Sequence, residues 1–185
     1  QELYCNTDWR IVIVKILAIL FCGLCLLSIG CPGKTSPSVN VVHGDYSWGT
    51  GASVISVNTQ RVEVSNFSPG DSISFSLTVV NKNDVDKNYI FSFKSRESKK
   101  IKALRNMSFE KTPLGIEVTF DKYNIVPVKA HGNGTVNVTV SVPKNNPLPS
   151  KWLFDINVAE MVGNTGFQIQ LALDVDILVS RGNIE

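Results

Sequence analysis

Cysteine, histidine, serine and carboxylate spacing limits the chemistry open to this chain. Cys22-Gly23-Leu24-Cys25 has the C-x-x-C spacing of metal and redox sites. It lies inside an apolar run with no second ligand pair, where a thiolate is costly, so it reads as small apolar filler. The two histidines, His43 and His131, both sit beside glycine in expected loops. A metal site built on them would need distant carboxylates. No serine occupies a G-x-S-x-G elbow. Gly132-Asn133-Gly134 is a turn before a strand, with no helix start behind it to hold a phosphate. Asp174 and Asp176 share one face of an expected strand, with Cα atoms about 7 Å apart. That spacing suits a cation site or a glycosidase-type pair; it equally suits a solvated sheet face whose charges discourage edge pairing. The run from Lys94 to Lys102, with Arg105, concentrates positive charge. It reads either as a contact for anionic headgroups or cell-wall polymers or as a solvated loop. N-x-S/T sequons at Asn66, Asn106, Asn133 and Asn137 matter in a glycosylating host. No nucleophile–base pair emerges, so the expectation is a non-enzyme with no catalytic residue, no metal and no cofactor.

The elements behind these residues emerge from composition and periodicity. The chain has 185 residues, 43% of them hydrophobic and 18% charged, with a formal net charge of +2. So weak a balance argues against a nucleic-acid partner, which calls for clustered Lys and Arg. The many β-branched and aromatic residues argue against disorder. From Ser53 onward apolar residues recur at every second position, the signature of half-buried strands. Ile73, Phe75, Leu77 and Val79 form one such run; Tyr89, Phe91 and Phe93 a second; Ile116, Val118 and Phe120 a third. Val136 to Val142, Trp152 to Val158 and Phe167 to Val179 continue the pattern. With Val54–Val57 and Arg61–Val64 the count reaches seven to nine short strands and no convincing helix. Pro143, Pro147 and Pro149 exclude a strand centre between Val142 and Lys151. Each apolar face needs another to cover it, so two packed antiparallel sheets, an immunoglobulin-like β-sandwich over 53–185, is the expected fold.

Ahead of the strands, residues 11–30 are apolar apart from Lys15, a length between a signal-peptide core and a spanning helix. Arg10 and Lys15 precede the uninterrupted part of the run, Ile16 to Gly30, which leaves the N-terminus cytoplasmic and exports the residues beyond Gly30. Residues 1–31 therefore read as a signal peptide or membrane-anchor helix. Residues 32–52, rich in Gly, Pro and Ser, read as a flexible tether; Tyr46 and Trp48 within them are a contact site or a pair docked on the domain. Cys5, Cys22, Cys25 and Cys31 all fall at or before the end of the apolar run, so the exported part must be stable without disulfides.

Two stretches resemble known families. Leu27-Ser28-Ile29-Gly30-Cys31 resembles the lipobox of bacterial lipoprotein signal peptides, which implies cleavage after Gly30 and lipidation of Cys31. Ser68-Pro69-Gly70-Asp71-Ser72, the strand after it and Asn81 resemble the opening of prokaryotic extracytoplasmic Ig-like domains. Val126 to Thr135, with the valine strand and Pro143, resembles their second half. The same opening is similar to secreted matrix-fibre proteins of the TasA/camelysin kind. The resemblances imply a membrane-tethered extracytoplasmic binding or spacer module of the cell envelope. Alternatives are a subunit of a surface or matrix fibre and an accessory subunit of a larger envelope complex. The implied partners are the membrane, through the N-terminal segment or lipid, and an envelope protein or polysaccharide.

Overall fold

The computed structural model describes residues 35–50, 53–101, 107–121, 124–162 and 168–182, in which eleven strands and no helix occur. They are β1 (Ser38–Thr50), β2 (Ser53–Phe67), β3 (Ser72–Asn81), β4 (Lys87–Ser95), β5 (Lys99–Ile101), β6 (Met107–Phe109), β7 (Glu117–Phe120), β8 (Ile125–Val128), β9 (Asn133–Ser141), β10 (Lys151–Val162) and β11 (Gln168–Arg181). Hydrogen bonds link them in the order β7-β9-β3-β2-β11-β10-β4-β8, with β1 on β2 and β5 paired with β6 apart.

β2 belongs to both layers. Its first half pairs antiparallel with β3, from Ile55↔Asn81 to Val57↔Val79. Its second half pairs parallel with β11, from Asp176↔Arg61 onward. One layer is thus β7-β9-β3-β2 and the other β2-β11-β10-β4-β8. In immunoglobulin lettering the first is the D-E-B-A arrangement, and β2-β11-β10-β4 of the second is A-G-F-C with β8 added at its edge. The expected β-sandwich is present, with the two separate short runs at 54–57 and 61–64 fused into one strand that changes layer.

Period-two alternation drives this packing. Ile73, Phe75, Leu77 and Val79 of β3 are buried while Ser72, Ser74 and Ser76 face solvent. Val136, Val138 and Val140 of β9, Trp152, Phe154, Ile156 and Val158 of β10, and Val175, Ile177 and Val179 of β11 complete the same core. Phe67, Trp152 and Phe154 form an aromatic file in it, with centroids 6.3 and 5.7 Å apart. Phe93 departs from the expected pattern: at the end of β4 it is over a third exposed and leans on Phe154.

The turn residues have identifiable work. Gly70 has φ of 85°, which the third position of the Ser68–Asp71 turn requires, and Asp71 N–H donates to the Ser68 carbonyl at 3.0 Å. Asn81 ends β3 with a fully buried amide. Its Nδ2 donates to the carbonyls of Val85 and Lys129 at 2.8 and 3.1 Å, and its Oδ1 accepts from Asn83 and Tyr89. Gly134 lets β9 pass close to β8, since a Cβ there would lie 2.5 Å from Val126 Cγ1 and 2.7 Å from Val128 Cγ2.

The tether expectation is corrected over residues 38–50. They form β1, paired antiparallel with β2 from Ser38↔Ser65 to Thr50↔Ser53. Two register shifts, at Val42/His43 and His43/Tyr46, break its alternation, and residues 43–49 are all exposed. An edge strand of this kind carries no period-two signal. The anchor helix expected over residues 1–31 and the lipidation site Cys31 lie outside the described residues.

Candidate functional site

The outer face of the β4-β10-β11 layer carries charge in register. One row across four strands reads Lys94, Asp155, Asp176, Arg61, and the next reads Ser92, Asn157, Asp174. Lys94 Nζ lies 2.7 Å from Asp174 Oδ2, Lys99 Nζ lies 3.2 Å from Asp176, and Arg96 Nε lies 3.1 Å from Asp155 Oδ2. Asn157 Nδ2 donates to Asp174 Oδ1 at 2.7 Å. The basic run is therefore no free loop: Lys94, Arg96 and Lys99 neutralise three aspartates. This also disposes of Asp174 and Asp176 as a bare acidic pair, and among the described residues no group of His, Cys, Asp or Glu is arranged to hold a metal.

Asp155, expected on a solvated face, is fully buried. β10 is a central strand, and its outer face is covered: Phe109 of β6 packs on Leu153 and Leu178 beside it. Neither Asp155 oxygen receives an aligned hydrogen bond, although Arg96 stands close enough to pair with it. Burial pushes the Asp155 carboxyl up to about 7; Arg96 opposes this, and Asp176 and Asp174 add to it. Asp174 goes the other way. Burial raises it, but Lys94, Asn157 and Arg96 together outweigh burial and hold it below the usual carboxylate range.

Beside this face stand two aromatic rings. Tyr46 and Trp48, two apart on β1, are 43% and 62% exposed. They border a groove of about 360 Å³ whose other walls are Lys94, Asn157, Ala172, Leu173 and Asp174. A second groove of about 390 Å³ shares Tyr46 and Asp174 and continues to Gln60, Arg96, Lys99 and Asp176. The grooves open because β2 changes layer between Val57 and Arg61, so its pairing with β11 begins only at Asp176.

The remaining sequence candidates scatter. His43 is exposed on β1, and His131 sits in a turn with φ of 55°, its Nε2 3.0 Å from Asp84. Asn137 is exposed but held by Asp121 and Ser76, while Asn133 is exposed and Asn66 half-buried; Asn106 is outside the described residues. A buried polar end of the core is the feature that sequence reasoning misses. Glu160 is fully buried and pairs with Lys87. Burial and then Glu160 push the Tyr89 hydroxyl up to about 12, against the amide of Asn83. A signal for it exists: Glu160 stands in phase with Trp152, Phe154, Ile156 and Val158.

Strand order and core define the class, an immunoglobulin-like β-sandwich. No protein-family model matches the chain, and no curated protein matches it in sequence. Among solved structures it is similar to the ASH/PapD-like domain 7 of human CEP192, at 12% identity and a TM-score of 0.44, over 71% of this chain and 87% of that one. The E. coli chaperone DraB shows 14% identity and a TM-score of 0.44, over 71% of this chain and 56% of its own. A family 123 glycoside hydrolase from Clostridium perfringens shows 6% identity and a TM-score of 0.45, over 81% of this chain and 28% of its own.

Proposed function

We propose that the chain is a non-enzymatic binding module of the cell envelope, tethered to the membrane with its β-sandwich on the extracytoplasmic side. Residues 1–31 supply the signal or anchor, with Cys31 the lipidated residue, and a short linker up to Ser38 precedes the sandwich. The apolar run behind Arg10 and Lys15, and the confinement of all four cysteines to residues 1–31, support export. One observation carries the binding role: Tyr46 and Trp48 stand exposed over a groove whose charged walls are already paired off. Exposed aromatic rings beside preorganised polar groups suit recognition. A pure spacer has no use for them.

The test is sedimentation of the full chain with detergent-extracted envelope material from the producing cells. Saturable co-sedimentation that the Tyr46→Ser/Trp48→Ser double variant loses is the expected result. Equal sedimentation of both proteins, or of neither, would reduce the domain to a spacer. A second reading, a fibre subunit, is favoured by the outer edge of β1, a strand of 13 residues that pairs on one side with β2. It predicts concentration-dependent assembly, which the binding-module reading does not.

A further inference from the structure

We infer that the double groove between β1 and the outer face of β11 binds a neutral pyranose oligosaccharide. This rests on the binding-module reading and names the ligand of the same site. A pyranose ring presents one face of C–H groups and a rim of hydroxyls. The C–H face needs a flat apolar partner at the surface, and the hydroxyls need planar groups that accept and donate side by side. Tyr46 and Trp48 supply the first, projecting to one side from alternate positions of β1. Asn157, Asp174 and Gln60 supply the second, and their placement is fixed in advance where it counts: Asn157 donates to Asp174, and Lys94 pairs with it from the opposite side. Gln60 and Tyr46 are exposed where they line the groove, within reach of a ligand lying in it.

Charge and dimensions narrow the class. Lys94, Arg96 and Lys99 each face an aspartate, so the floor presents paired charges rather than a bare cationic strip to a polyanion such as a uronate chain or a phosphate polymer. Each groove is within the range of small-ligand sites, roughly 300–1,000 Å³. The two run on from each other through Tyr46 and Asp174, which fits consecutive rings of a chain better than one monosaccharide.

Trp48 provides its own reporter. The chain has three tryptophans, Trp9, Trp48 and Trp152, and Trp152 is fully buried. In the full chain carrying Trp9→Phe, emission that responds to a surface ligand comes from Trp48. Cellohexaose, maltohexaose, mannohexaose and chitohexaose are titrated separately, beside hexagalacturonate as the anionic control and an extended decapeptide as the peptide control. The inference expects a saturable blue shift with at least one neutral hexaose. It expects Kd to rise roughly tenfold or more in Tyr46→Ala, the scale of losing one aromatic contact, and to rise again in Gln60→Ala, with thermal melts unchanged in both. Four results overturn it: no shift with any neutral hexaose, wild-type affinity in both variants, preference for hexagalacturonate, or response to the decapeptide alone. If the hexaoses fail while wild-type chain still sediments with envelope material, the ligand class falls and the binding reading stands. If sedimentation fails as well, both fall.

Discussion

Replacing Asp155 by asparagine keeps the shape of a buried side chain and removes its charge. In the unfolded chain this carboxyl titrates at the ordinary value of 3.8, and in the fold at about 7, chiefly because it is buried. Between those values the folded state holds the proton more tightly than the unfolded one, so stability is greatest on the acid side and falls as pH rises through the window. The interval between 3.8 and about 7, at about 1.36 kcal/mol per pH unit, sets a ceiling of about 4 kcal/mol on the loss. For a domain of this size that is a Tm change on the order of 10 °C. Arg96, about a third exposed, can turn to Asp174 or to solvent once Asp155 is neutral, and the new amide can donate to Asp176 across the strand pair. Urea melts of wild type and Asp155→Asn at pH 5 and pH 8 make the comparison. The wild-type midpoint should drop from pH 5 to pH 8, the variant's should drop much less, and the variant should be the more stable at pH 8. Parallel pH dependence in the two proteins, or a variant weaker than wild type at pH 8, would refute the account of this cluster.

Gly134→Ala should cost about 1–3 kcal/mol in a denaturant melt, because its Cβ would collide with two valines of β8 that have little room to turn. Leu173→Ala, in the core of β11, should cost about 2–5 kcal/mol, and Leu171→Ala, half-buried, should cost less in the same assay. Asn81→Ala should lower the melting temperature by the equivalent of about 1–3 kcal/mol, since it removes the acceptor of the buried Asn83 N–H and of the Tyr89 hydroxyl. Intact mass of membrane-extracted protein should show a chain that begins at Cys31 with lipid attached; an unmodified chain that retains residues before Cys31 would leave the segment as a plain anchor.

The legible and the hidden parts of the fold have one physical cause. Strands with one face in the core announce themselves by alternation, as Ile73 to Val79 and Val136 to Val140 do, so the all-β sandwich is legible in the sequence. β1 is not, because its two register shifts and its exposed end erase the alternation between Val42 and Thr50. Alternation also fails for a strand covered on both sides. Asp155 stands at an apparently solvent-facing position of β10, yet the chain around Arg96 and the β5–β6 pair lies over it, a contact between distant segments that no local pattern encodes. The same distance in sequence hides the pairing of Lys94 with Asp174, 80 residues apart, so the basic run and the acidic pair read as two features when they are one. Tyr46 and Trp48 are visible as residues. Their place beside β11 depends on where β2 changes layer, which is set by packing rather than composition.

The central claim is that the surface around Trp48 meets a partner in the envelope. The direct measurement places a photo-crosslinking amino acid at position 48 in the full chain and irradiates intact producing cells. A second copy carries the same group at Ser74, exposed on the outer face of β3 in the other layer. The account predicts a shifted adduct from position 48 and none from position 74. Adducts from both in equal yield, or from neither, would contradict it.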